Sequence, residues 1–477
     1  MRSPADCRCS PYRFVLGCLL AAAVAPLAAA ELQVSQMADS GPGSLRAAIA
    51  ALPANEHNRI VFTAPFGVLT LVTSLPQLRG LSLEIQGAGH VIDGASAVQI
   101  FSAALNLRIS RLTLRNGVAP LSSGCLQNVG PTAVEQVLFE GCRGGAGSGN
   151  AYGGALTVFG ALQVRSSAFV GNLARPAGAG GDQAGGAIHH AGGHLRIEDS
   201  RFENNRVEPG SSGFSRGGAI FSSGQDLEIL RSRFLGNQVL GLEASGGAVH
   251  CSGSPRCAVL RSYFGGNASE GAGGALAGEG SALLIENSTF YANQGGLGGA
   301  VYAVGLQSSL RLRASSFRLN ETTSLGFGRQ GGHLFTNGAV SLLEVSNSAF
   351  AATATGSACY AFSGSPIYAG VGYNLAVDAS CAAFAGSQSA QLTPAEFGLG
   401  LPQLSGAVET LRLMPSSGLI DAGNPAAVGD SEGACPAVDS DGRVRPRRGG
   451  PATPPRCDVG ASEYVLELFS SGFEAAP

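Results

Sequence analysis

The sequence predicts an all-β solenoid, in which short strands wind into stacked coils. Three observations predict it. First, one unit recurs: it opens on a glycine pair and closes on F-x-x-N, as in GGAIHHAGGHLRIEDSRFENN over 185–205. The second glycines are Gly154, Gly186, Gly218, Gly247, Gly274, Gly299 and Gly332, and the closing aromatics are Phe169, Phe202, Phe234, Phe264, Phe290, Phe317 and Phe350. Glycine to phenylalanine spans 15 to 18 residues, whereas successive glycines lie 25 to 33 apart. A nearly fixed unit joined by variable loops marks a repeat architecture. Second, the positions seven and five before each Phe are apolar columns: Leu162, Leu195, Leu227, Cys257, Leu283, Leu310, Leu343 and Val164, Ile197, Ile229, Val259, Ile285, Leu312, Val345. Apolar residues two apart give β alternation rather than helical periodicity. Third, the outward positions six and four before each Phe pair by charge across neighbouring copies: Arg165 with Glu198, Arg196 with Glu228, Glu286 with Arg313, Arg311 with Glu344. One short strand cannot bury its own apolar side, but stacked copies bury a continuous core.

The elements follow in chain order. Residues 1–30 read as an export signal: Arg2, Arg8 and Arg13 precede an apolar run from Phe14 that ends in small residues, with cleavage near Ala30. The mature chain then holds no run apolar enough to span a bilayer. Residues 31–117 read as an N-terminal cap and first coils. Ser44 caps a short helix, Leu45–Leu52, that covers the open end of the stack. The runs IVF, VLTLV, LSLEI, VQIF and LRISRLTL over 60–117 make three or four less regular coils. Residues 118–353 carry the regular repeats, beginning with a degenerate copy at Ser123–Cys125 and Phe139–Cys142. Asn172, Asn205, Asn237, Asn267, Asn293 and Asn320 form a ladder at a turn that tolerates left-handed backbone. Phe169, Phe202, Phe234, Phe264, Phe290 and Phe317 form another. The glycine pairs suit corners where a Cβ would clash. Residues 354–463, rich in Gly, Pro and Ser, read as an irregular C-terminal cap, and 464–477 as a tail.

Composition narrows the partners. A net charge of −3 and only 13% charged residues give no reason to expect nucleic acid. There is no Lys, so every fixed positive side chain is Arg. The absence of Trp argues against a dedicated sugar-stacking platform, although Tyr and Phe can serve. Three of the 11 Cys (Cys7, Cys9, Cys18) lie in the signal, leaving eight. Nearest-neighbour pairing gives Cys125–Cys142, Cys251–Cys257, Cys359–Cys381 and Cys435–Cys457, though spacing leaves connectivity open.

GGA[ILV] followed by F-x-x-N resembles the repeats of polymorphic outer membrane proteins and related bacterial β-helix proteins. DSGPGSLRAAI (Asp39–Ile49) is similar to the N-terminal cap of exported β-helix proteins. GYNLAVDASC (Gly372–Cys381), LIDAGNP (Leu419–Pro425), RVRP (Arg443–Pro446) and CDVGASE (Cys457–Glu463) resemble a choice-of-anchor Q domain. Together the matches cover most of 32–463. The resemblance implies a single-stranded right-handed parallel β-helix of the pectin-lyase-like superfamily, with a short N-terminal capping helix and an irregular, disulfide-stapled C-terminal cap. LFSSGFE (Leu468–Glu474) is similar to tails of secreted bacterial proteins. No translocating barrel follows Glu463, so a self-translocating passenger is not expected.

That superfamily includes polygalacturonases and pectate lyases, so catalysis must be weighed. Hydrolysis needs two carboxylates across one groove. Glu198, Asp199, Asp226 and Glu228 fall on adjacent copies, but Glu198 and Glu228 already have Arg neighbours, and the four read first as ladder pairs and solvated face. A lyase would hold Ca²⁺ on clustered acids beside a Lys or Arg base, and no Arg stands out. The paired-Asp, Gly-His-Gly and Arg-Ile-Lys motifs of polygalacturonases are absent. His189, His190 and His194 cluster, and His250 shares the column of His189 two rungs away, about 10 Å at ~4.8 Å per rung. That is too far for one metal, so these read as surface and turn histidines. Asp439 and Asp441, in DSDG, look like a fragment of a calcium loop without its other ligands; a turn is favoured, and no cofactor is expected. The expected protein is a monomeric solenoid, extracellular or held on the outer surface, and a non-catalytic adhesin or binder of polysaccharide, cell-surface glycan or protein. The alternatives are a polysaccharide lyase or hydrolase and a purely structural envelope component.

Overall fold

The computed structural model describes residues 30–465, apart from 148, 179–180, 211–212, 242, 324–328, 338–339, 341, 354, 363–366, 369–371, 385–388, 427, 430–432 and 448–454. The segment expected to be an export signal, with Cys7, Cys9 and Cys18, and the LFSSGFE tail lie outside the described residues. The chain winds as a right-handed parallel β-helix with three sheets along its axis. The first sheet has 13 strands and contains Leu195–Glu198; the second has 13 and contains Arg201–Glu203; the third has 10 and contains Ile188–Ala191. All their pairings are parallel, and the apolar columns pair in the expected register, for example Leu162 with Leu195 and Ile197 with Ile229. The charged positions pair as expected too: Arg196–Glu228 at 2.7 Å, Arg311–Glu344 at 2.6 Å, Arg165–Glu198 and Arg313–Glu286 at 3.2 Å.

The core is a stack of like on like. Phe139, Phe169, Phe202, Phe234, Phe264, Phe290, Phe317 and Phe350 are buried, with successive ring centroids 4.7–5.2 Å apart. Each buried ring removes enough apolar surface from water to contribute roughly 1.5–3 kcal/mol. The asparagine ladder lies beside it, fully buried. Asn205 Nδ2 donates to Asn237 Oδ1 (2.9 Å) and to Phe169 O (2.9 Å), while its backbone N–H donates to the same Asn237 Oδ1 (3.0 Å). The residue in left-handed conformation is not the ladder Asn but the one before it, Gly171, Asn204, Gly236, Gly266, Ala292 or Leu319. The Asn instead spends its side chain on the neighbouring coil. A serine column does the same at the turn between the first two sheets: Ser200 N–H donates to Ser232 Oγ (3.1 Å), and Ser200 Oγ–H to Glu198 O (2.7 Å).

Between the second and third sheets several coils make an excursion. Outgoing half-strands (Leu173–Ala174, Arg206–Val207, Gln238–Val239) and returning ones (Ala151–Tyr152, Gln183–Ala184, Ser215–Arg216, Ala244–Ser245) pack back to back as a thin fin. Its small apolar interior is Ala151, Ala174, Val207, Val239 and Ala244. The glycine pairs stand where the fin rejoins the body. A Cβ on Gly186 would come within 2.6 Å of the Arg206 backbone nitrogen on the outgoing strand. Gly185 has φ +70°, which L side chains rarely adopt. Over Ala268–Ala272 and Gln294–Leu297 the strand runs through without an excursion loop.

At the N-terminus the helix is Leu45–Ala50, capped by Ser44 as expected, with Leu45, Ala48 and Ile49 buried over the first coil. The C-terminal region is irregular and stapled by Cys359–Cys381 and Cys435–Cys457; Cys125–Cys142 and Cys251–Cys257 complete the nearest-neighbour set. Its first part closes the end of the stack. Its second part turns back along the flank. The antiparallel hairpin Leu399–Ser405/Val408–Leu413 reaches Arg233 through Glu409, and Arg318 donates to Leu399 O. Further on, Asn287 Nδ2 donates to Val438 O (2.9 Å) and Ala461 N–H to Ser316 Oγ (2.9 Å).

Candidate functional site

The acids singled out from sequence lie on the outer face of the first sheet and its turn. Arg231 holds two of them: its Nε is 2.7 Å from Asp199 Oδ1 and its Nη2 2.5 Å from Glu198 Oε1. Arg165 and Arg196 also reach Glu198, at 3.2 and 3.7 Å. The Glu198 carboxyl lies below the usual range: burial alone would raise it, and the facing guanidiniums, led by the Arg231 hydrogen bond, outweigh that. The Asp199 carboxyl is lowered chiefly by its hydrogen bond to Arg231. Glu228 lies between Arg196 (2.7 Å) and Arg256 (3.4 Å), and Asp226 faces His194 at 3.8 Å. This is a carboxylate–guanidinium lattice. The arginines favour the ionised form of Glu198 and Asp199, the opposite of what a general acid requires. Arg231, which brings Glu198 and Asp199 together, did not stand out in the sequence, because it lies at a turn one coil away rather than in the Arg–Glu columns.

Asp439 and Asp441 form a turn. Asp439 Oδ1 accepts from the backbone N–H of Asp441 (2.9 Å) and Arg443 (2.8 Å), and Oδ2 from Glu463 N–H (3.1 Å). Asp441 Oδ2 accepts from Ser405 Oγ (2.5 Å) and faces Arg443 (2.7 Å). Three of the four carboxylate oxygens thus accept from donors of the chain, and Asp441 Oδ1 is buried without a hydrogen-bond partner among the described residues. Among the described residues, no three His, Cys, Asp or Glu side chains gather as a metal site.

The histidines differ from expectation. His194 is exposed, but His189, His190 and His250 are buried. His190 points into the coil, with Nδ1 3.1 Å from Ser222 Oγ. His189 and His250 lie on the outer face of the third sheet, covered by the returning strands of the fin. Burial, the largest cause, pushes His189 down to about 4 and His250 to about 3, so both rings are neutral at physiological pH.

They belong to an aromatic stripe along the valley between the third sheet and the fin. The register runs His189, Phe221, His250, Ala277, Tyr302, Phe335, Tyr360. Ring centroids are 5.3 Å apart for His189–Phe221, 5.6 for Phe221–His250, 5.6 for Tyr302–Phe335 and 5.3 for Phe335–Tyr360. Tyr152 extends the stack from the fin, 4.6 Å from His189. Where Ala277 interrupts the stripe, a cavity of about 400 Å³ opens, lined by His250, Ala277, Tyr302, Ser245, Ala272, Leu297, Phe214, Arg216, Glu243, Glu270 and Glu279 among others. That volume lies within the range of small-ligand sites, roughly 300–1,000 Å³. Arg216 lies 4.6 Å over the Phe214 ring and 3.4 Å from Glu279.

The signal for the stripe was present in the sequence: each member up to Phe335 stands three residues after the second glycine of its unit. Columns counted back from Phe do not reveal it, because the Gly-to-Phe spacing varies. No family model matches this chain, and no curated protein matches it.

Proposed function

We propose that the protein is an exported β-helix that binds glycans at the valley between the third sheet and the fin, and does no chemistry on them. The observation that carries this reading is the aromatic stripe with its open, polar-rimmed cavity. Aromatic faces flanked by a few placed polar groups suit sugar rings, which present apolar C–H faces and hydroxyl edges. Of the acids a hydrolase would need, Glu198, Asp199 and Glu228 are paired with arginines on a different face. Four disulfides suit an oxidising, extracytoplasmic compartment, and among the described residues no helix is long and apolar enough to cross a membrane. The likeness of the repeats to bacterial surface proteins supports a place on the cell exterior.

The test is incubation of the chain from Glu31 with neutral, amino and acidic polysaccharides, following retention on the polymer together with new reducing or unsaturated ends. Retention without new ends is expected. New ends that disappear in Glu198→Gln or Glu228→Gln would establish the lyase or hydrolase alternative instead. Retention on none of the polymers would leave the structural-component reading.

A further inference from the structure

The C-terminal segment is fastened to the flank by a knot of buried charges. Asp439, Asp458, Glu463 and Arg445 are all buried. Each acid ties one piece of the segment to another. Asp458 Oδ1 accepts from Asp421 N–H (2.7 Å), and its Oδ2 from Tyr464 N–H. Glu463 Oε1 accepts from Asp458 N–H (2.9 Å), and its Oε2 from Arg447 N–H (3.0 Å). Asp439 Oδ2 accepts from Glu463 N–H (3.1 Å). Arg445 carries the knot to the coil through Asn287 Oδ1 (3.3 Å), and Ala461 N–H reaches Ser316 Oγ (2.9 Å). The same stretch holds the hairpin, through Ser462 Oγ–H to Leu411 O (3.2 Å), and the hairpin covers Arg233 and Tyr263 on the second sheet.

The knot is short of positive charge. Arg445 lies 3.1 Å from Glu463 and also acts on Asp458. Asp439 faces Glu463 from its turn, with Arg261 of the coil beyond it, bonded to Ser440 O (3.2 Å). Asp421 and Arg447 meet the pair through their backbone N–H groups. With all three acids ionised, three carboxylates share the Arg445 guanidinium in a site closed to water, which burial makes unfavourable. Asp458 is pushed up to about 7, first by burial and then by Glu463, and Glu463 is pushed up by burial. Opening the segment returns both acids to the ordinary carboxylate range near 4. The closed segment therefore keeps a proton that the opened one has lost. Closure is favoured most at about pH 4 and weakens as the pH rises to about 7, beyond which Asp458 changes nothing further. The coils respond in the opposite sense, because their buried His189 and His250 are held down to about 4 and about 3.

We propose that residues 438–447 and 457–464 form a proton-held latch. With a proton on the Asp458–Glu463 pair it closes on the flank at Asn287 and Ser316; loss of that proton toward neutral pH loosens it, together with the hairpin over Arg233 and Tyr263. The latch is separate from the valley, which lies between the third sheet and the fin.

The experiment is hydrogen exchange read by mass spectrometry on the chain from Glu31 at pH 5 and pH 8, each rate divided by the intrinsic rate at that pH. Opening of 438–447 and 457–464 should rise at least about 10-fold from pH 5 to pH 8. Peptides of the Phe-stacked coils, such as 195–205, should not open further over that range. Asp458→Asn is uncharged at both pH values and should lose most of the rise. Equal protection of the latch at both pH values, or greater protection at pH 8, would overturn the proposal. So would a parallel loss in the coil peptides, which makes the change global. The full rise in a folded Asp458→Asn would also overturn it, by placing the proton elsewhere. Should that variant fail to fold, intermediate pH values on the unaltered chain decide: the rise should level off near pH 7, and a rise that continues unchanged to pH 9 refutes the latch.

Discussion

A ladder asparagine ties its coil to the coils on both sides. Asn237 Oδ1 accepts from Asn205 N–H (3.0 Å) and Asn205 Nδ2 (2.9 Å), and its Nδ2 donates to Phe202 O (3.0 Å) and Asn267 Oδ1 (2.9 Å). Asn237→Ala strands several of these groups in a site closed to water. At about 1–3 kcal/mol for an orphaned buried group, the loss should be on the order of 3 kcal/mol, read from the urea midpoint. The ladder ends at Asn320, where the next copy has Thr353. There His333 takes over: its Nδ1 is 3.3 Å from Asn320 Nδ2, and Nε2 is 2.6 Å from Ala351 O. The residue before Asn320, Leu319, has φ +56° where Gly stands in other coils. Leu319→Gly should raise stability by roughly 0.5–1 kcal/mol, because left-handed backbone costs an L residue about 1–2 kcal/mol and glycine's extra unfolded-state entropy takes part of that back. The buried histidines set an acid limit. His189 and His333 are held down to about 4 and His250 to about 3, burial being the main cause in each. The unfolded chain takes up these protons near pH 6.5, and the folded chain only near 4 or below. Their contribution is therefore full above about pH 6.5 and is lost as the pH falls toward 4. His189→Phe keeps a ring between Tyr152 and Phe221 and should flatten the dependence of melting temperature on pH between 4 and 6.5. An unchanged slope would mean that this ring does not titrate as its burial dictates.

At the scale of the element, the fin is set by glycine and the body by phenylalanine. The second glycine of each pair lies where outgoing and returning backbones cross; on Gly218 a Cβ would stand 2.7 Å from Gln238 O. Gly218→Ala should therefore pry the fin from the body and disturb the valley more than the core. Phe234→Ala acts on the core. It removes one ring from a stack spaced 4.7–4.8 Å on either side and should cost about 3–5 kcal/mol in urea unfolding. The excursion loops carry neither load, since Ala268–Ala272 and Gln294–Leu297 cross the same place without one. The variable spacing between repeats is the length of the fin.

For the whole molecule, the C-terminal segment matters most. It clasps the flank through Arg445, which donates to Asp458 O (2.8 Å), Gly460 O (2.7 Å) and Asn287 Oδ1 (3.3 Å), and lies 3.1 Å from Glu463, with both side chains of that pair fully buried. Asp458 and Glu463 are both pushed up, first by burial and against the pull of Arg445. Removing one partner of a buried pair leaves an uncompensated charge and costs about 3–5 kcal/mol. In a solenoid, where each unit touches its neighbours, the loss should remain local. Arg445→Met should therefore expose Arg412 and Arg443 to trypsin while the Phe-stacked coils resist. Simultaneous digestion of the whole chain would instead make the clasp part of one cooperative unit.

Sequence alone determined the coil, its register and its ladders. Identical residues recur at fixed distance from Phe202 and its counterparts, and period-two alternation has one burial solution when copies stack. It also indicated the Ser44 cap, which is local in the chain, and offered the nearest-neighbour disulfide pairs while leaving their connectivity open. Tertiary structure alone decided three things. It brought Arg231 to Glu198 and Asp199 from the next coil, turning candidate acids into an ion-pair lattice. It folded residues 399–465 back along the flank, through contacts more than a hundred residues apart such as Asn287 with Val438. And it placed the fin against the third sheet, burying His189 and His250, which the sequence offered as surface and turn histidines. Nothing local to those residues announces their burial; the fin that covers them exists only once the coils have stacked.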